Sequence, residues 1–313
     1  MDRTTRAEIQ RIAATTLRDA GLTEPPLSVE RLLEHVQLHR DYYDLSNPGF
    51  LDRAKHKLRI HGRRLVEVLN KVRLQAVLLF DESRICIDQD LPTIKHPWAS
   101  CHETGHRILS WHKPFFFADT AETLDPAYQV DLEDEANYTA GRLLFLGDRF
   151  TQDARDIPAT VAGLKVLPKR YGASLTTTLR RYVEQGPEIA MAMLVSTPAW
   201  GEQPDDQPHR WRHCVPSARF SGLFPETSAD ELRVLVDNHA QYRRGGTVAE
   251  FGLELLDVRG DRHELRAWSF NNQHYLLTLF VEERKVTGVR IVMPSSTTLS
   301  DPVNCSTNTS DHF

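Results

Sequence analysis

The chain has 313 residues, with 38 Lys plus Arg against 43 Asp plus Glu and a formal charge of −5, which argues against a protein that coats nucleic acid or membranes by bulk electrostatics. Its 40% hydrophobic, 26% charged and 8% aromatic content is a globular mix; it excludes fibrous, collagenous and wholly disordered classes, and the length suits two or three domains. The longest apolar runs, Ala76–Phe80, Ile189–Val195 and Tyr275–Val281, fall far short of the ~18 residues of a membrane-spanning helix. Met1–Ala20 is a charged helical pattern without an apolar leader, so a cytosolic protein with no membrane partner is expected. Cys86, Cys101, Cys214 and Cys305 form no C-x-x-C pair and read as free thiols rather than a disulfide framework or zinc ribbon.

Arg6–Leu22 reads as a helix closed near Gly21, and Ser28 caps a second one carrying Val29, Leu32, Leu33 and Val36. After a turn at Asn47-Pro48-Gly49, a charged helical pattern runs to about Arg73. Ala76–Phe80 and Arg84–Ile87 flank Asp81-Glu82-Ser83, the pattern of a hairpin. Trp98–Trp111 and Asp131–Leu146 have helical spacing, separated by an irregular, acidic linker at Phe115–Gln129. Between Ile157 and Val183 lie Lys165, Lys169, Arg170, Arg180 and Arg181 with no acidic residue, on two short helices around Tyr171-Gly172-Ala173-Ser174. A strand at Ile189–Val195 and a polar linker at Trp200–His213 follow; Ser228 and Glu231 then make a capping box before another helix. Phe251–Leu256, His263–Phe270, His274–Val281 and Thr287–Met293 have the spacing of an antiparallel meander, and Pro294–Phe313 is polar and expected to lack fixed structure.

The sharpest chemical signal is His102-Glu103-Thr104-Gly105-His106, an H-E-x-x-H within the Trp98–Trp111 helix. Histidines at i and i+4 share a helix face, so both imidazoles can reach one tetrahedral Zn²⁺. Glu103 lies ~100° around from His102, a position suited to a general base rather than a ligand. A catalytic zinc takes three protein ligands, and Glu133 in Asp131-Leu132-Glu133-Asp134-Glu135-Ala136-Asn137 is the candidate third. Asn137, one turn on from Glu133, is placed to hydrogen-bond a ligand imidazole. Small residues at Gly105, Ala136, Ala140 and Gly141 would let the two helices approach. Glu135 lies ~200° from Glu133, so only one of the two can face the metal. The competing explanation of this acidic run is a favourable charge at a helix N-terminus. His96, His112 and Tyr138 read as a loop or packed residues, Cys101 as an inert buried thiol, and His209 and His213 as solvated.

The H-E-x-G-H helix, preceded by a strand hairpin and followed by Glu133-Asp134-Glu135-Ala136-Asn137, an E-x-x-A-N, resembles the ImmA/IrrE metallopeptidases. The resemblance covers roughly Leu27–Leu146. It implies an α+β, thermolysin-like minimal zinc peptidase fold, mainly helical with a small sheet, with His102, His106 and Glu133 as ligands and Glu103 as base. The family commonly has Ala before the first His, N-x-F-A in the second helix and L-L-M-P after it; this chain has Cys101, Asn137-Tyr138-Thr139-Ala140 and Leu143-Leu144-Phe145-Leu146. Residues 157–183 are similar to the helix-turn-helix-like module of longer members, where Lys169, Arg170, Arg180 and Arg181 would meet phosphates; a helical segment packed on the peptidase is the alternative. The C-terminal half is similar in length and strand content to a GAF-like domain, by analogy alone.

The expected organisation is a peptidase domain at 1–148, a helix-turn-helix-like segment at 149–185, a β-rich α+β domain at 186–295 and a disordered tail at 296–313. The expected function is zinc-dependent endoproteolysis of a helix-turn-helix repressor, releasing a stress or mobile-element response; Mn²⁺ or Fe²⁺ also suits a His₂Glu site. Two alternatives stand beside it: a ligand-sensing regulator with a vestigial metal site, and a DNA-binding regulator acting through residues 157–183.

Overall fold

The computed structural model describes residues 1–43, 76–79, 82–113, 126–197, 211–239, 246–271 and 275–283. The turn at Asn47-Pro48-Gly49, the charged pattern up to Arg73, most of the 115–129 and 200–213 linkers with His209, the Thr287–Met293 run and the 296–313 tail lie outside them. Residues 1–283 make one compact unit. No helix among the described residues is long and apolar enough to cross a membrane.

Asp2 accepts a hydrogen bond from the Thr5 amide at 2.7 Å and caps α1 (Arg3–Asp19); Ser28 caps α2 (Val29–His35), as its sequence suggests. A three-stranded sheet follows. β2 (Ala76–Leu79) and β3 (Arg84–Asp88) pair antiparallel as the expected hairpin. β1 (His39–Tyr43) lies parallel to β3 on its other side. Its residues, His-Arg-Asp-Tyr-Tyr, show no apolar alternation, which is why sequence periodicity misses it; its Asp41 pairs with Arg84 across the sheet.

α3 (His96–Ile108) carries the H-E-x-x-H and ends in a 3₁₀ turn at Ser110–His112. α4 (Pro126–Leu144) begins earlier than Asp131, with Pro at its first position, where the missing N–H costs nothing. The acidic run Asp131–Glu135 therefore lies beyond the first turn, where the helix dipole has little to offer it. Four short helices follow: α5 (Arg149–Arg155), α6 (Val161–Leu164), α7 (Val166–Tyr171) and α8 (Leu175–Gln185). Gly172 turns the chain between the last two at φ 60°, and Ser174 caps α8.

The C-terminal part is a five-stranded antiparallel sheet of order β5-β4-β8-β7-β6, comprising β4 (Met191–Ser196), β5 (Trp211–Pro216), β6 (Gly246–Leu256), β7 (Arg262–Asn271) and β8 (Leu276–Glu282). The expected meander is present as β6-β7-β8. β5 corrects the linker expectation at Trp200–His213: its Arg212, His213 and Pro216 suit an edge strand, whose outer side needs no ladder partner. Helices α9 (Ala218–Leu223) and α10 (Ala229–His239) lie between β5 and β6 in the chain, and Ser228 and Glu231 exchange the hydrogen bonds of a capping box.

β4 and β8 are buried on both faces. Met191, Met193, Val195, Leu277, Leu279 and Val281 join the core of α1–α8, whereas Ala190, Ala192, Leu194, Leu276 and Phe280 join Phe220, Leu232 and Val236 beneath α9 and α10. The period-two alternation of a strand thus serves two cores at once, and the first core runs across positions 148 and 185.

Candidate metal centre

α3 and α4 come together because residue 105 has no side chain. A Cβ at Gly105 would lie 3.2 Å from both the Ala136 carbonyl oxygen and the Thr139 Cβ, tighter than ordinary contact. Gly141, expected to serve the same approach, instead faces Arg181, whose Nη1 lies 3.6 Å from the position of its Cβ.

The donor atoms of His102, His106 and Glu133 all lie within 4.8 Å of one another. The two Nε2 atoms are 3.2 Å apart; Glu133 Oε2 is 3.2 Å from His102 Nε2, and its Oε1 is 3.5 Å from His106 Nε2. Ligands at about 2.0–2.1 Å around a tetrahedral zinc stand about 3.3 Å from one another, so the donor set fits such an ion. His106 is buried, His102 nearly so and Glu133 exposed, which leaves the centre open to solvent on the Glu133 side.

Hydrogen bonds fix the ring tautomers. His102 Nδ1 lies 3.2 Å from Asn137 Oδ1, so an Nδ1–H donates to the amide oxygen and Nε2 keeps its lone pair, the role expected of Asn137. His106 Nδ1 lies 2.9 Å from His112 Nδ1, and His112 Nε2 lies 3.0 Å from Glu135 Oε2, which also accepts from Trp111 Nε1 at 2.6 Å.

Sequence reasoning placed His112 among loop residues, yet it is fully buried. It follows His106 across the break between α3 and the 3₁₀ turn, where helical periodicity no longer relates positions. Glu135 points away from the His102, His106 and Glu133 donors, as its ~200° offset from Glu133 requires, and toward the ring that supports His106.

Glu103 is 7% exposed. Burial raises its carboxyl to about 7, with the neighbouring Glu133 charge adding to this, while His102 and the Leu78 backbone amide that donates to it pull the other way. A carboxyl in that range can take and return a proton near neutral pH. Burial works against a charged His102, but the Glu133 and Glu103 charges and Asn137 outweigh it and raise its pKa. Burial lowers His106 despite Glu133, and lowers His112 to about 4 despite Glu135. Burial would raise Glu133, but the two imidazoles hold it well below the usual carboxylate range. Burial pushes the Cys101 thiol well up, in keeping with an inert residue. Tyr138 accepts from Gln10 Nε2 at 2.7 Å, and His96 bonds the Leu91 carbonyl at 2.8 Å; neither belongs to the centre.

Of the four basic residues proposed for phosphate contact, Arg181 lies inside the protein and the other three at its surface. Arg181 is 3% exposed, 6.0 Å from the Phe145 ring, and its Nε and Nη2 have no hydrogen-bond partner among the described residues; burial and the adjacent Arg142 lower its pKa to about 9. This corrects its assignment as a nucleic-acid contact. Arg170 pairs with Asp153 at 3.0 Å and Arg180 with Glu184 at 2.9 Å. Lys169 is exposed.

No protein-family model and no curated protein matches the chain. Among solved structures it is similar to a Mycobacterium tuberculosis transcriptional regulator, with a TM-score of 0.51 and 11% identity, over 88% of this chain and 87% of that one. At that identity the likeness concerns the fold: an α+β arrangement shared over nearly the whole length.

Proposed function

We propose that the protein is a metal-dependent endopeptidase, with zinc as its metal and a helix-turn-helix repressor as its substrate. The observation that carries this is the convergence of His102, His106 and Glu133 donors one residue from a buried carboxyl poised near neutrality at Glu103. Zinc, when bound, would supply Lewis-acid polarisation of a peptide carbonyl and of water. Glu103 then takes a proton from the attacking water on its carboxylate and passes it to the nitrogen of the leaving amine. Asn137 and His112 hold the imidazole rings in place for this chemistry. The repressor substrate, the thermolysin-like character of residues 1–148, the helix-turn-helix-like 149–185 segment and the GAF-like 186–295 region rest on the resemblance to ImmA/IrrE proteins.

The test is incubation of the zinc-loaded protein and its Glu103→Gln variant with helix-turn-helix repressors encoded beside its gene. Cleavage by the wild type alone is expected; equal cleavage by both sinks the mechanism. A second reading, a non-proteolytic regulator, is favoured by the similarity to a transcriptional regulator. It expects stoichiometric zinc or none and no cleavage of any repressor.

A further inference from the structure

We propose that Glu135 is a positioning residue that selects, through His112, the tautomer of His106 able to ligate a metal. The inference rests on the metal-centre reading above and adds to it a residue two positions from the ligand Glu133. An ionised carboxylate can only accept hydrogen bonds. With Glu135 Oε2 at 3.0 Å from His112 Nε2, that nitrogen must carry the hydrogen, and His112 Nδ1 is left with a lone pair. His106 Nδ1, 2.9 Å away, must then be the donor. Its Nε2 therefore keeps the lone pair that faces His102 and Glu133. The opposite tautomer of either ring would set two lone pairs or two N–H groups against each other across this contact.

Two features make the relay stiff. Trp111 Nε1 donates to the same carboxylate oxygen at 2.6 Å, which holds Glu135 toward the ring. His112 is 0% exposed, so bulk water does not offer it a substitute partner. The contrast with His102 is chemical. Its Nδ1 meets an amide, which can accept or donate by a flip of its end group, whereas the His106 side terminates in a group that only accepts.

The experiment is imidazole ¹⁵N–¹H spectroscopy of the metal-free protein, combined with zinc affinity by chelator competition. In the wild type His106 should carry its proton on Nδ1. Glu135→Gln can donate to His112 Nε2 and so permits the inverted relay: His106 should shift toward the Nε2–H form, and zinc affinity should fall about 10–100-fold. Glu135→Asp keeps an acceptor-only group and should retain the wild-type tautomer; it decides the matter if Glu135→Gln does not fold. An Nε2–H tautomer in the wild type, or lost affinity in Glu135→Gln with the tautomer intact, would overturn the proposal. A wild type with the expected tautomer but no zinc affinity would reject the metal centre and leave the relay standing.

Discussion

Two charged regions stand out of this sequence, and the fold treats them in opposite ways. On α3 and α4, side chains of both signs converge: three donor atoms come within 4.8 Å, and the rings behind them are held by Asn137 and the His112–Glu135 pair. On α7 and α8, charges of one sign are met singly: Arg181 turns inward against Phe145, while Arg170 and Arg180 pair with Asp153 and Glu184. The first region was recognised from spacing, which dictates direction on a helix. The second was recognised from composition, which does not.

The largest effect that can break this contrast is expected at Glu103. Glu103→Gln should lower kcat/KM for repressor cleavage by about 10²–10⁴-fold while elemental analysis still finds one zinc per chain. Loss of metal in that variant would show that Glu103 is a structural part of the centre. Next comes Glu133→Gln, which removes a proposed ligand; by chelator competition it should lose more affinity than the about 10–100-fold typical of an outer contact.

The pH dependence of zinc binding sharpens the same side of the comparison. A ligand imidazole must be neutral, and the His102 pKa in the metal-free protein lies above the ordinary 6.5. As pH falls through that raised value, protons compete with zinc. Apparent affinity should therefore begin to decline above pH 6.5, as isothermal titration at several pH values would reveal; a decline starting only well below that value would contradict the charge arrangement around His102.

On the other side, Arg181→Met should leave urea stability unchanged or raise it by up to about 4 kcal/mol, since a buried charge with no carboxylate partner among the described residues is replaced by an apolar chain of similar length. A clear loss of stability would reveal a partner for the guanidinium. The smallest effect is expected for Arg180→Ala, an exposed i,i+4 pair with Glu184, which should change stability by less than about 1 kcal/mol.

Much of the fold was legible where local rules act. Ser28 and the Ser228–Glu231 pair cap helices as read, and the Ala76–Leu79 hairpin and the β6–β8 meander follow from strand alternation and turns. The misses are edge strands and contacts across a break. β1 shows no apolar alternation, and β5 mixes Trp211, Cys214 and Val215 with Arg212, His213 and Pro216 without a strict period of two, so nothing in either sequence demands a sheet. Arg181 has the composition of a surface residue, and only the position of Phe145 and Gly141 puts it inside. In the centre itself, His102, His106, Glu133 and Asn137 were legible from helix geometry, whereas His112 and Glu135 were not. Their meeting depends on the 3₁₀ turn after α3, which brings His112 to Glu135 on α4.

The alternation in β4 and β8 bears on how the whole unit responds to a bound ion. Neighbouring residues such as Met193 and Leu194 belong to different cores, so neither core can open without disturbing strands that complete the other. Such an arrangement favours all-or-none unfolding. By mass action, free energy released when zinc binds the folded form is then felt at Phe220 and Val236 on the far side of the sheet, which would make a calorimetric scan with and without zinc a measure of cooperativity across the unit as well as of metal binding.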